Sequence, residues 1–218
     1  MPQARAIDSI VATGKGDDGT TGLLYGGDRI AKDDLRTEAY GTIDEAVAAL
    51  GIARAQLGLA AREGALPRAL EPLSPLILRF QRELFVAAAE LATNPAAWDR
   101  LVDDRTQVSA AMVAGVEEVL AEYEARIEMP REFVVPGETP ASAALEQART
   151  ILRRAERRAV TLGRESGAIR VGPAQSCAAR NTSHQPKPSS RGFRLRVTTE
   201  SRMASGISGS SRGRRRPK

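Results

Sequence analysis

Apolar side chains recur three and four residues apart in four stretches of this 218-residue chain. That spacing puts them on one face of an α-helix. The first stretch, about Glu38 to Arg62, carries Tyr40, Ile43, Val47, Leu50 and Leu57 on that face, and Gly64, Pro67 and Pro72 mark the connection that follows. The second, about Ser74 to Ala92, carries Ile77, Phe80, Leu84, Ala87 and Leu91. Asn94-Pro95 ends it, because a residue before proline is pushed out of the helical region. The third, about Thr106 to Ile127, carries Val108, Met112, Val116, Val119, Tyr123 and Ile127. The fourth starts at Thr139-Pro140, a capping residue with proline at the first helical position. Its stripe is Ala141, Leu145, Ala148, Leu152, Ala155, Ala159 and Leu162. Four amphipathic helices with short connections predict an all-α antiparallel bundle. Ahead of them, residues 11–37 are rich in Gly and Asp and read as an ordered loop; residues 133–137 read as a short apolar segment and a turn.

Composition changes this picture mainly at the C-terminal side. Hydrophobic residues make up 42% and aromatics 4% of the chain, so Ala, Leu and Val must build the core. The formal net charge of +5 is unevenly placed: residues 1–163 hold 19 Lys/Arg against 25 Asp/Glu, residues 164–218 hold 13 against 2. The basicity belongs to the tail and says nothing of nucleic-acid binding by the folded part. After about Ser166, Ser, Arg, Gly and Pro dominate without an apolar period. This predicts a helical domain over 1–163 and a basic, low-complexity, disordered tail over 164–218. No apolar run approaches the roughly 20 residues of a membrane span. Met1 to Ile10 contains Arg5 and Asp8 and no apolar signal core, so the expected location is cytoplasmic, with no membrane. One Cys (Cys177) and one His (His184) exclude a disulfide framework and leave little for a transition-metal site.

Three segments could carry chemistry. Residues 13–22 alternate Gly with Thr, Lys and Asp. Glycines let successive N–H groups turn toward one anion, and Thr and Lys add donors. No Gly-Lys-Ser/Thr stands at Walker A spacing, so the segment is either another phosphate cradle or a plain Gly-rich turn. Lys32-Asp33-Asp34 precedes the first helix, where acids favour the helix dipole, and Asp44-Glu45 lies inside it. On the fourth helix, Arg149, Arg153 and Glu156 share a face. Two guanidiniums there could grip a polyphosphate with forked hydrogen bonds, with Glu156 orienting Arg153; the alternative is a solvated charged face.

Together these segments are more specific than any one. Thr-x-x-Gly-Asp-x-Gly-Thr-Thr-Gly-Leu stands at 13–23, Gly-Gly-x-Arg-x-x-Lys-Asp-Asp at 26–34 and Glu-Ala-Tyr-Gly-Thr-x-Asp-Glu at 38–45. Phe-Val-Val-Pro-Gly follows at 133–137 and Arg-Arg-Ala-Glu-Arg at 153–157. In that order, over about three quarters of the chain, they resemble the ATP:cob(I)alamin (corrinoid) adenosyltransferases of the propanediol-utilisation type. The resemblance implies a five-helix bundle, a homotrimer, and active sites between subunits that enclose ATP, Mg²⁺ and the corrinoid. It implies ATP contacts from Thr13, Gly14, Lys15, Gly16, Thr21, Gly22 and Lys32, completed by Arg153, Arg154, Ala155, Glu156 and Arg157 of a neighbour. It implies that Arg153 and Lys32 act on the leaving triphosphate, that Asp44 and Arg149 pair between subunits, and that Phe133 crowds the lower corrinoid face. No side chain need ligate metal, since Mg²⁺ rides on ATP. Cob(I)alamin would attack C5′ of ATP, releasing triphosphate and forming adenosylcobalamin. A flavin-dependent reductase or a cobalamin-dependent mutase are the partner classes such a reaction calls for.

The pattern breaks after residue 163. The family's fifth helix, with its Asn-Arg-Leu-Ser-Asp-like start, is missing or replaced. A reading-frame change would produce such a break, and another frame of the encoding DNA would then restore that helix. Two further readings follow: a catalytically impaired remnant that only binds ATP or a partner, and nonspecific nucleic-acid binding through the tail. The tail has 11 Arg but one aromatic, Phe193, which makes base stacking poor. A di-iron carboxylate bundle is excluded, because no Glu-x-x-His pair exists.

Overall fold

The computed structural model describes residues 13–128, 130–167 and 169. Two short strands, β1 (Thr20–Thr21) and β2 (Ile30–Ala31), precede four helices: α1 (Leu35–Arg62), α2 (Leu73–Leu91), α3 (Ala110–Glu124) and α4 (Pro140–Ser166). The expected tail over 164–218 and the absent fifth helix fall almost wholly outside the described residues. No helix among the described residues is long and apolar enough to cross a membrane.

Helix ends follow capping chemistry. Asp34 accepts the Arg36 N–H at 2.8 Å, which starts α1 at Leu35 rather than at Glu38. Thr139 and Ser142 form a reciprocal cap at the head of α4, each side chain taking the other's N–H at 3.1 Å, with Pro140 in the first turn. Gly167, at φ 61°, ends that helix in the left-handed conformation. The third helix is shorter than its pattern predicts. Residues 102–107 close a turn in which the Arg105, Thr106 and Gln107 N–H groups all donate to the Val102 carbonyl. Val108 donates its N–H to Glu90 at 2.7 Å, and Ser109 caps Met112. Helix α3 therefore begins at Ala110, and neither Val108 nor Ile127 belongs to it.

The core is a three-helix affair. Helix α1 buries Ala39, Ile43, Ala46, Val47, Ala49, Ala53 and Leu57, α2 buries Ile77, Val86 and Ala88, and α4 buries Ala144, Ala148, Ala155 and Leu162. Helix α3 buries none; α2 reaches it through Arg79, whose guanidinium lies against Gly115. Arg36 near the start of α1 reaches the Leu91 carbonyl at the end of α2, and Gln81 in α2 donates to Val47 of α1 at 2.9 Å, so the two helices run antiparallel. Ion pairs of Glu38 with Arg158 (3.6 Å) and of Glu45 with Arg154 set α4 antiparallel to α1. At about 100° per residue, Ala46, Ala49 and Ala53 lie on the side of α1 beside those glutamates. Ala155 of α4 packs in one cluster with Ile43 and Val47 of α1 and Ala88 of α2, and the small buried side chains of α1 and α4 suit close packing of the two helices.

Two details depart from the sequence pattern. Leu152, expected in the α4 stripe, is 39% exposed, and the buried line runs through Ala148, Ala155 and Leu162 at seven-residue spacing. Residues 20–31, expected as loop, form a small antiparallel hairpin with Thr20 opposite Ala31 and Thr21 opposite Ile30.

Candidate nucleotide site

The hairpin folds residues 13–34 into a loop with its donors on display. Two tight turns build it: Asp17 N–H donates to Gly14 and Gly19 N–H to Gly16. Gly14, at φ 63°, takes a conformation that side chains disfavour. The N–H groups of Lys15, Gly16 and Asp18 donate to no other described residue. Lys32 donates its N–H to the Gly19 carbonyl at 2.9 Å, and its side chain lies across Gly16. A Cβ at Gly16 would stand 2.9 Å from Lys32 Cε and 2.9 Å from the Thr20 carbonyl oxygen. The structure thus brings Gly14, Lys15, Gly16 and Lys32 to one place, with Thr13, Thr21 and Gly22 on the same loop. Free N–H groups beside an ammonium form an anion-binding concavity.

Two residues without an assigned role shape this loop. Asp18 accepts both the Thr20 hydroxyl (2.7 Å) and the Thr20 N–H (2.9 Å); these bonds, with the charge of Arg29 behind them, hold its carboxyl below the ordinary value. Arg29 donates to Thr20 Oγ1, the Thr20 carbonyl and the Lys15 carbonyl. Asp two residues before Thr is a recognisable side-chain turn, whereas the reach of Arg29 depends on hairpin pairing that two-residue strands do not announce.

The loop is tied to the end of α2. Leu24 N–H donates to Ala92 and Asn94 N–H to Leu24, while the Asn94 amide donates to Gly26 at 2.8 Å. Gly27, at φ 93°, leaves no room for a side chain beside that amide. Arg36, two residues after the Asp34 cap, caps α2 by donating to Leu91 O at 2.6 Å and, at a longer 3.5 Å, to Thr93 O. Burial pulls its guanidinium down from the ordinary value, and Asp34 opposes that pull. A cation at a helix C-terminus is favourable.

The arginines of α4 divide by face. Arg154 and Arg158 turn to Glu45 and Glu38 of α1. Arg153 and Arg157 are exposed on the side of α4 opposite its buried line. Ala155, expected at the nucleotide, is 4% exposed and packs with Ile43, Val47 and Ala88, so its side chain faces the core. Glu156 makes no ion pair with Arg153. Arg149 instead pairs with Glu146 of its own helix, Nε to Oε2 at 2.8 Å, and this bond lowers the Glu146 carboxyl and raises the guanidinium. Asp44 makes no ion pair among the described residues, and partial burial pushes its carboxyl up. Phe133 is 95% exposed, beside exposed Val134 and Val135. No hydrogen bond or ion pair joins residues 13–34 to α4 among the described residues. No group of three His, Cys, Asp or Glu side chains among them could hold a metal ion.

Residues 11–178 match the family model described as cobalamin adenosyltransferase. The chain is 38% identical over 154 residues to a corrinoid adenosyltransferase of Citrobacter freundii, covering 71% of this chain and 79% of that protein. It is 37% identical to a corrinoid adenosyltransferase of Bacillus subtilis, covering 69% and 70%. A solved structure of a variant PduO-type ATP:corrinoid adenosyltransferase from Lactobacillus reuteri, complexed with cobalamin and ATP, superposes with a TM-score of 0.58 at 29% identity, covering 71% of this chain and 76% of that one. With a family match spanning the loop, the bundle and the arginine helix alike, the chain belongs to the cobalamin adenosyltransferase family.

Proposed function

We propose that the chain transfers the 5′-deoxyadenosyl group of ATP to cob(I)alamin, giving adenosylcobalamin and triphosphate. The observation that carries this reading is the Lys32 side chain laid across Gly16, beside N–H groups that have no partner among the described residues. Such a loop takes the phosphates of ATP through Lys15, Gly16, Thr21 and Lys32. Arg153 and Arg157, facing outward on α4, meet the same phosphates from a neighbouring subunit. The protein's work is to hold C5′ in line with the attacking cobalt and to offset charge on the leaving triphosphate. Mg²⁺ rides on the phosphate oxygens and shares that neutralisation. Exposed Phe133 serves as the aromatic face against the corrinoid.

An anaerobic assay of ATP-dependent conversion of cob(I)alamin to adenosylcobalamin, followed by absorbance, tests the reading. A folded protein that makes no adenosylcobalamin sinks it. Gly16→Ala is expected to raise KM for ATP about tenfold, the scale of a small overpacking cost, because the Thr20 carbonyl cannot yield to a Cβ. An unchanged KM would put the nucleotide elsewhere.

The assembly in this reading is a homotrimer. It is supported by the lack, among the described residues, of any hydrogen bond or ion pair between residues 13–34 and α4, and by Asp44, partly desolvated and without an ion pair among those residues. Arg149 of a neighbour fits that need. Either Asp44→Arg or Arg149→Asp alone should cost about tenfold in activity and shift sedimentation toward smaller species, and the charge-swapped double variant should recover part of both. A double variant no better than the singles removes the pair. A cytoplasmic location, with ATP and a reducing supply of cob(I)alamin, suits the chemistry, as does supply by a flavin-dependent reductase or delivery to a cobalamin-dependent mutase.

A further inference from the structure

We infer that Arg29 is a positioning residue for the nucleotide, setting the direction in which the phosphate loop presents its N–H groups; this rests on the function proposed above. Arg29 stands immediately before β2, and its guanidinium reaches back across the hairpin to three acceptors. Its Nε donates to Thr20 Oγ1 at 2.6 Å, and its Nη2 donates to the Lys15 carbonyl at 2.8 Å and to the Thr20 carbonyl at 2.9 Å. The Thr20 hydroxyl in turn donates to Asp18 at 2.7 Å, so a chain of bonds runs from Arg29 through Thr20 to the tip of the loop.

The bond to Lys15 matters most. A trans peptide holds its C=O and the following N–H in opposite directions. Drawing the Lys15 carbonyl toward Arg29 therefore turns the Gly16 N–H away from Arg29. That N–H has no partner among the described residues, and it belongs to the residue over which Lys32 lies. The guanidinium engages two backbone carbonyls and a hydroxyl of the loop itself, so its contribution is orientation of the loop before ATP arrives. An ordered loop binds without first losing the freedom of residues 14–20. A lysine at 29 could not reproduce this, since a single ammonium lacks the flat fork that spans separate acceptors.

The test compares wild type, Arg29→Ala and Arg29→Lys in three measurements: equilibrium binding of MgATP, KM and kcat in the anaerobic assay, and peptide-resolved amide exchange of the protein without nucleotide. Arg29 is exposed and outside the core, so thermal melting should be unchanged. Both variants should weaken ATP binding by about tenfold or more, the factor carried by lost hydrogen bonds to a charged group. KM should rise more than kcat falls, and exchange over 14–20 should quicken. Unchanged ATP affinity in Arg29→Ala overturns the inference. So does weakened affinity with unchanged exchange, which would make Arg29 a direct phosphate contact. So does full rescue by Arg29→Lys. A wild-type chain that binds ATP but transfers nothing sinks the proposed reaction while the binding data still judge Arg29. One that binds no ATP sinks both.

Discussion

Replacing Arg153 by alanine is expected to lower kcat/KM for adenosyl transfer by about two to three orders of magnitude, the scale seen when one preorganised charged donor is removed from a developing anion. Arg153 projects from α4 opposite the buried line and pairs with no acid among the described residues. Its guanidinium is therefore available to the triphosphate, where negative charge gathers as the C5′–O bond breaks. Lysine should restore only part of the loss, because it keeps the charge and loses the fork. A fall mainly in kcat would place the contact in the transition state, and a rise mainly in KM would place it in the ground state. Arg154→Ala is the contrast: its partner is Glu45 on the bundle surface, and an exposed pair of that kind contributes at most about 1 kcal/mol to stability. Equal activity of Arg153→Ala and wild type in the anaerobic assay would remove α4 from the nucleotide site.

The second large effect is on stability. Leu162→Ala should cost about 3 kcal/mol, read as a fall in the urea midpoint at constant slope. Leu162 is 2% exposed and lies one turn beyond the Arg158–Glu38 pair, at the end of the line that holds α4 to α1. Leu162→Met, which nearly conserves volume, should cost less than about 1.5 kcal/mol. Leu120→Ala on α3, an exposed position, should stay within about 0.5 kcal/mol. A Leu162→Ala midpoint close to wild type would mean that the end of α4 does not belong to the cooperative core.

The residues that made the fold legible are those with strong period and strong caps. The seven-residue line of α4, the Thr139-Pro140 start and the Asn94-Pro95 stop could all be read directly. The start of α3 could not, because Thr106 and Val108 fit a helical pattern while the turn at 102–107 and the Ser109 cap compete for the same backbone. The hairpin was illegible for a different reason: two-residue strands are too short to show alternation. Leu152 and Ala155 illustrate the limit of hydrophobicity as a guide. The larger side chain stands partly out of the bundle and the smaller one is buried, because the winding of the helix, not residue size, decides which position faces α1 and α2. The same geometry sorts the Arg-Arg-Ala-Glu-Arg motif, which as a string offers five equivalent positions. Once wound on α4 it offers one residue to the core, one arginine to α1 and three other exposed side chains, Arg153, Glu156 and Arg157.

The buried alanines of α1 and α4 also bear on how this chain can change over time. A leucine seam can be retuned, since one large side chain can shrink while its neighbour grows. Methyl groups offer no such slack: at Ala46, Ala53, Ala148 or Ala155 every substitution except glycine adds volume, and added volume has to push two backbones apart. The spacing of α1 and α4 thus behaves like a gauge block, fixed by the smallest parts available. Drift should accumulate on α3 and in the loops, where added bulk displaces only water.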